Sequence, residues 1–180
     1  MHERRYDGDA DRLRSDERMQ RLQVEQVIQL SLEGIHPSTL LDVGTGSGVF
    51  AEAFSKNGLT VTGLDVNLDM LKMARKAVPD ALLTRGLAEY LPFKNKTFDV
   101  IFYGLVFHET DDFPLTLREA IRTSAQRAVI LEWPYLEQDF GPPLNHRLKK
   151  EQIISLATKA GFAKTRVFEL NHLLLYRCDL

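Results

Sequence analysis

Two aspartates and three glycines lie close together in an apolar stretch of this 180-residue chain. Asp42-Val43-Gly44-Thr45-Gly46-Ser47-Gly48 follows the apolar run Thr39-Leu40-Leu41, and Asp65 ends a second run that starts at Thr60. Glycines at alternate positions let a backbone turn sharply, adopt positive φ and touch a ligand with no Cβ in between. A carboxylate just before the first glycine can receive a cationic amino group. One at the end of the next strand stands about where an acid binds ribose hydroxyls in sheets of this kind. A dinucleotide fingerprint needs a third small residue where Val49 stands, and a phosphate-cradling loop needs a Gly-Lys-Ser/Thr ending that is absent here. The pattern therefore points to another nucleoside-like ligand. The bland alternative, a tight turn with two solvated acids, does not explain the joint spacing with Asp65.

A base is useful where an acceptor must lose a proton, and His108 offers an imidazole in Tyr103-Gly104-Leu105-Val106-Phe107-His108-Glu109, just past a third apolar run. It is the first candidate for a base or substrate contact, with a structural histidine as the equal alternative. Trp133, after Glu132, ends a further run and can wall an apolar acceptor or simply pack. His146 and Arg147 close the stiff segment Phe140-Gly141-Pro142-Pro143-Leu144-Asn145, where they can meet a polar or anionic acceptor; a local ion pair for Arg147 is the competing reading.

These residues need a scaffold that brings strand ends together. Apolar periodicity predicts a leading helix from Ser15 to Leu32, strands at Thr39 to Val43, Thr60 to Leu64 and Ala81 to Thr84, and intervening helices at Val49 to Lys56 and Leu68 to Ala77. Phe98 to Tyr103 and Ala128 to Leu131 read as further strands around a helix at Leu115 to Thr123. A helix at Lys150 to Ala160, stopped by Gly161, precedes a hairpin of Lys164 to Leu170 and Leu173 to Cys178. Alternation of this kind makes an α/β, doubly wound, mostly parallel seven-stranded sheet with one antiparallel strand near the C-terminus. Ligands bind such sheets at the carboxyl ends of the strands. If the hairpin turns at that end, Asn171 and His172 come within reach of the site.

Composition sets the remaining bounds. One domain, residues 1–180, is expected at this length, with residues 1–32 as a helical or lid segment. A net charge of −2 argues against a surface made to neutralise phosphates, so no nucleic-acid partner is expected. The single cysteine, Cys178, provides no disulfide framework and suits a cytoplasmic setting; five scattered histidines give no metal-ligand spacing. No apolar run approaches membrane-spanning length, and the first twenty residues lack a signal peptide's apolar centre. Oligomeric state is not legible.

Leu41 to Gly48 closely resembles the first motif of class I S-adenosylmethionine-dependent methyltransferases. Gly63-Leu64-Asp65-Val66-Asn67-Leu68-Asp69-Met70-Leu71 is similar to the family's second-strand acid and following helix, and Ala88-Glu89-Tyr90-Leu91-Pro92-Phe93 leading to Phe98-Asp99-Val100 to its later motif. The nearest flavour is that of the ubiquinone- and menaquinone-type small-molecule enzymes. The resemblance implies a Rossmann-like sheet and S-adenosylmethionine as cofactor, with S-adenosylhomocysteine as product. Asp42, Gly44, Thr45, Gly46 and Gly48 would hold its methionine portion, Asp65 its ribose, and Val66, Ala88 and Glu89 its adenine surroundings. Tyr6, beside Asp7, would close over the cofactor. By its electron-rich ring alone, Tyr103 can line the sulfonium pocket, with a place in the core as the equal alternative. One departure is Leu87, where the family often has an acid for the adenine amino group.

The activity this implies is transfer of an activated methyl group to a small-molecule acceptor, which depends on positioning and water exclusion more than on a reactive side chain. Two rivals stand beside it: a non-catalytic binder of the same cofactor, and an NAD(P)-dependent oxidoreductase, against which Val49 counts.

Overall fold

A computed structural model describes residues 13–180, so the expectation for Tyr6 lies outside the described residues. Seven strands form one sheet in the order β3-β2-β1-β4-β5-β7-β6. They are β1 (Thr39–Val43), β2 (Thr60–Asp65), β3 (Leu82–Arg85), β4 (Phe98–Gly104), β5 (Ser124–Glu132), β6 (Lys164–Glu169) and β7 (Leu174–Asp179). The pairs from β3 through β5 are parallel, whereas β7 runs antiparallel to both β5 and β6. β7 is thus the single reversed strand.

Strand alternation splits the core into two layers. Leu40, Val100, Phe102, Val129 and Leu131 pack under α2 (Val24–Leu32) and α3 (Val49–Lys56), where Phe50 and Phe54 meet the Phe102 ring at centroid distances of 4.9 and 5.0 Å. Leu41, Val43, Ile101, Tyr103, Ala128 and Ile130 face the other way, onto α5 (Phe113–Thr123) and α6 (Lys150–Ala160). Each buried Leu, Ile, Val or Phe among these contributes on the order of 1.5–3 kcal/mol relative to exposure. Their combined burial holds the strand ends in fixed register, which a site on loops requires.

The elements end where local chemistry dictates. Asn67 caps α4 (Leu68–Ala77) by accepting from the Asp69 N–H, Asp112 caps α5 by accepting from the Leu115 N–H, and Gly161 at φ 112° terminates α6. The leading helix departs from expectation. It breaks at Gln23, φ 47°, into α1 (Asp16–Leu22) and α2. The apolar spacing runs straight through this point, but the Gln23 Oε1 accepts the Asn171 N–H at 2.7 Å from the β6–β7 turn. A tertiary hydrogen bond thus fixes a backbone conformation that sequence periodicity does not reveal.

Candidate active site

A cleft of about 1090 Å³ opens over the carboxyl ends of β1, β2, β4 and β5, where strand order reverses on either side of β1. The volume exceeds the roughly 300–1,000 Å³ of a typical single small-molecule pocket, leaving space for two modest ligands side by side.

The glycine loop forms its floor. Gly44, Gly46 and Gly48 have φ values of 67°, 52° and 80°. A Cβ on Gly44 would lie 2.4 Å from Val106 Cγ2, and one on Gly48 would lie 3.1 Å from the Cα of Ala74 in α4. Glycine is therefore required at both positions by conformation and by space. The Gly44 and Thr45 N–H groups donate to the Leu64 carbonyl at 2.7 and 3.0 Å, tying the loop to the end of β2. Asp65 completes that tie: its Oδ2 accepts from the Gly46 N–H at 2.9 Å and its Oδ1 from the Asn67 N–H at 2.8 Å.

Asp42 lies beneath the loop, buried, with its Oδ2 accepting from the Thr45 hydroxyl at 2.7 Å. Burial pushes its carboxyl up to about 7; the Thr45 bond opposes this and the neighbouring Asp65 charge adds to it. Burial also raises Asp65, against N–H bonds from Asn67, Gly46 and Val66. Among the described residues neither carboxylate has a salt-bridge partner. Two buried acids facing one cleft make a site suited to a cation.

Val66, Ala88 and Glu89 line the same cleft, as do Leu87 and Gly86. The Glu89 carboxylate accepts the Asp111 N–H at 2.7 Å, which anchors the segment after β4 to the segment after β3. Leu87, 38% exposed, presents an apolar surface where the resemblance led one to expect an acid.

His108 stands in a short 3₁₀ turn, Phe107–Glu109, beyond β4. Its Nδ1 lies 2.9 Å from both carboxylate oxygens of Glu132, and its backbone N–H donates to Glu132 Oε1 at 3.0 Å. Nδ1 is therefore the donor, and Nε2, 3.9 Å from Glu109 Oε1, is the nitrogen left for other work. Burial presses the imidazole pKa down, but Glu132 by charge and hydrogen bond, with Glu109, lifts it above its ordinary value. Sequence reasoning found His108 and missed its partner: Glu132 is 24 residues away, and only the β4–β5 register joins them.

Two expectations are redirected. Tyr103 does not line the cleft: strand alternation turns its ring into the layer beneath α5, with the hydroxyl 3.4 Å from the Thr116 carbonyl, and Gly104 takes the cleft-facing place. A Cβ at Gly104 would meet the Phe102 and Phe50 rings at 2.7 and 2.9 Å. Leu105, which follows, holds φ 60° and donates to the Leu131 carbonyl at 2.9 Å, a strained non-glycine residue at the cleft wall. Arg147 is buried, with its guanidinium engaged by loop carbonyls and directed away from an acceptor.

Trp133 and His146 do line the cleft, beside Phe140, Pro142 and Pro143. Phe140 was not singled out by the sequence, yet three elements meet on it. The Trp133 ring lies 5.8 Å away, the His172 ring 5.2 Å away, and the Arg21 guanidinium of α1 sits 4.3 Å over its face. The hairpin turn thus lies at the ligand end, although Asn171 and His172 reach the cleft only through Gln23 and Phe140. α1 adjoins this wall and lines the cleft with Glu17, Arg18, Arg21 and Leu22. Arg14, just before it, donates to the Ser47 carbonyl of the glycine loop at 2.9 and 3.1 Å. Among the described residues no group of three or more His, Cys, Asp or Glu could hold a metal ion, and no helix is long and apolar enough to cross a membrane.

Fold and site together define a Rossmann-like α/β domain whose glycine loop and two buried acids share one cleft with Trp133 and Phe140. Residues 41–131 match the family model described as "Methyltransferase domain", and the chain belongs to that family. It is 36% identical over 112 residues to the demethylmenaquinone methyltransferase of Thermotoga maritima, covering 60% of this chain and 48% of the relative. It is 27% identical over 138 residues to the malonyl-[acyl-carrier protein] O-methyltransferase of Hamiltonella defensa, covering 69% and 53%. The chain thus spans about half the length of these relatives. A SAM dependent methyltransferase from Aquifex aeolicus has the same fold, with a TM-score of 0.81 at 23% identity over 94% of this chain and 96% of that one.

Proposed function

We propose that this domain transfers a methyl group from S-adenosylmethionine to a small-molecule acceptor. The observation that carries the reading is the pair of buried carboxylates, Asp42 and Asp65, on either side of a glycine loop that approaches with bare backbone. They fit a ligand with an amino group, a sulfonium and ribose hydroxyls better than one with a pyrophosphate, whose charge they would repel. Asp42, Thr45 and the loop amides would hold the methionine portion, Asp65 the ribose hydroxyls, and Val66, Leu87, Ala88 and Glu89 the adenine. When bound, the cofactor supplies a methyl group already activated by its sulfonium.

The chain's own residues then have three tasks. Trp133, Phe140 and the Pro142–Pro143 pair form an apolar wall that orients the acceptor and excludes water. α1 covers the open side, held by Arg14 and Arg21. His108 accepts the acceptor's proton at Nε2 while Glu132 holds Nδ1–H and balances the charge that forms. His146, at the rim, contacts a polar group of the acceptor. A cytoplasmic setting is part of the same reading, supported by the lone, buried Cys178.

Calorimetric titration with S-adenosylmethionine, S-adenosylhomocysteine and NAD tests this. Micromolar binding of the first two without NAD supports it, and NAD binding alone overturns it. Binding without turnover across an acceptor panel would favour the non-catalytic reading.

A further inference from the structure

The 134–142 segment has no helix or strand of its own, yet it supplies half the acceptor wall, so something must hold it in shape. Arg147 does so from within. Its Nε donates to the Pro142 carbonyl at 2.8 Å. Nη1 donates to the carbonyls of Pro134 at 3.3 Å and Leu136 at 2.6 Å and to Gln138 Oε1 at 2.6 Å, and Nη2 to the Phe140 carbonyl at 2.7 Å. Five acceptors on one rigid fork fix a loop as no lysine can, because the ammonium has three donors and no planar geometry. The guanidinium also lies 5.7 Å over the Trp133 ring. From the other side, Gly141 at φ 82° has no room for a Cβ, which would stand 2.9 Å from Trp133 Cδ2 and 3.1 Å from Arg147 Nη2.

None of these five acceptors is a carboxylate. We propose that Arg147 is a positioning residue for methyl transfer: it folds the 134–142 loop into the acceptor wall. This rests on the proposed function for its purpose, but the state of the loop has a readout that needs neither cofactor nor acceptor.

Trp133 is the chain's single tryptophan, so acrylamide quenching of its emission reports the loop alone. An acceptor that the panel turns over gives a KM to set against kcat. Arg147→Lys keeps the charge and loses the fork: quenching should rise about twofold, and the acceptor's KM should rise severalfold with kcat changed less. Arg147→Met loses both, and quenching and KM should rise at least as far. Gly141→Ala should copy Arg147→Lys, and carries the test if the arginine variants fold poorly. S-adenosylhomocysteine affinity should stay within about twofold of wild type in all three, since the loop meets the acceptor side. Unchanged quenching in both Arg147→Lys and Gly141→Ala, or an unmoved acceptor KM in a folded Arg147→Met, overturns the proposal. Failure of the wild type to bind the probe would overturn the proposed function and leave the quenching readout decisive.

Discussion

Glu132 holds His108 by three contacts at once, two from its carboxylate oxygens to Nδ1 at 2.9 Å and one to the backbone N–H at 3.0 Å. Ring orientation, tautomer and charge are thus set by one residue at the end of the next strand. Glu132→Gln should lower turnover by about 10- to 100-fold while leaving S-adenosylhomocysteine affinity nearly intact, as expected for a group supporting general base catalysis. The pH–rate profile should shift to lower pH, because the variant loses the charge that raises His108. Steady-state kinetics across pH check this; a parallel loss of cofactor affinity would count against it.

The same pair gives a stability signature. A histidine raised above its unfolded value stabilises the fold fully below that value, about 6.5, and loses the contribution as pH rises through the folded one. His108→Ala should therefore narrow the gap in melting temperature between mildly acidic and alkaline solution, measured by calorimetry. An unchanged gap would assign the raised value no thermodynamic weight.

Asp42 couples pH to ligand affinity instead. Its carboxyl, pushed up to about 7 by burial, is largely protonated in mildly acid solution, and a cationic ligand requires it ionised. Cofactor affinity should rise up to about tenfold per pH unit below 7 and level off above it, with proton release visible as a buffer-dependent binding enthalpy. Affinity flat from pH 5 to 8 would exclude Asp42 as the cation's partner.

Asp65→Ala removes a charged acceptor for ribose hydroxyls and the tie to Gly46. Weakening of cofactor binding by about 1.5–3 kcal/mol is expected in a folded variant, by calorimetric titration. Full affinity would assign Asp65 to loop architecture alone.

Gly48→Ala tests the cradle without touching any ligand atom. Positive φ and a backbone neighbour at 3.1 Å act together, so unfolding free energy should fall by about 2–4 kcal/mol in a denaturant titration. Gly58→Ala, which has positive φ but open space around it, should cost less.

The sequence by itself determined the sheet and the cradle, because both arise from short-range rules. Alternating apolar runs, the stop at Gly161 and the spacing from Gly44 to Asp65 are interactions among neighbours in the chain, and their pattern survives without coordinates. The final hairpin is legible as two strands, but the end at which it turns is given only by the pairing of β7 with β5 and β6.

Tertiary structure decided what the polar residues do with one another. Glu132 reaches His108 only because β4 and β5 lie in one parallel register, and Phe140 joins Arg21, Trp133 and His172 across 151 residues of sequence separation between Arg21 and His172. Arg147 reads as a candidate ligand-binding cation in the sequence because a carbonyl-lined loop has no composition of its own. Tyr103 and Gly104 exchange roles through a single step of strand alternation at the mouth of the cleft. Hydrogen bonds and packing over such distances depend on where the layers bring the chain together, and no local pattern encodes that.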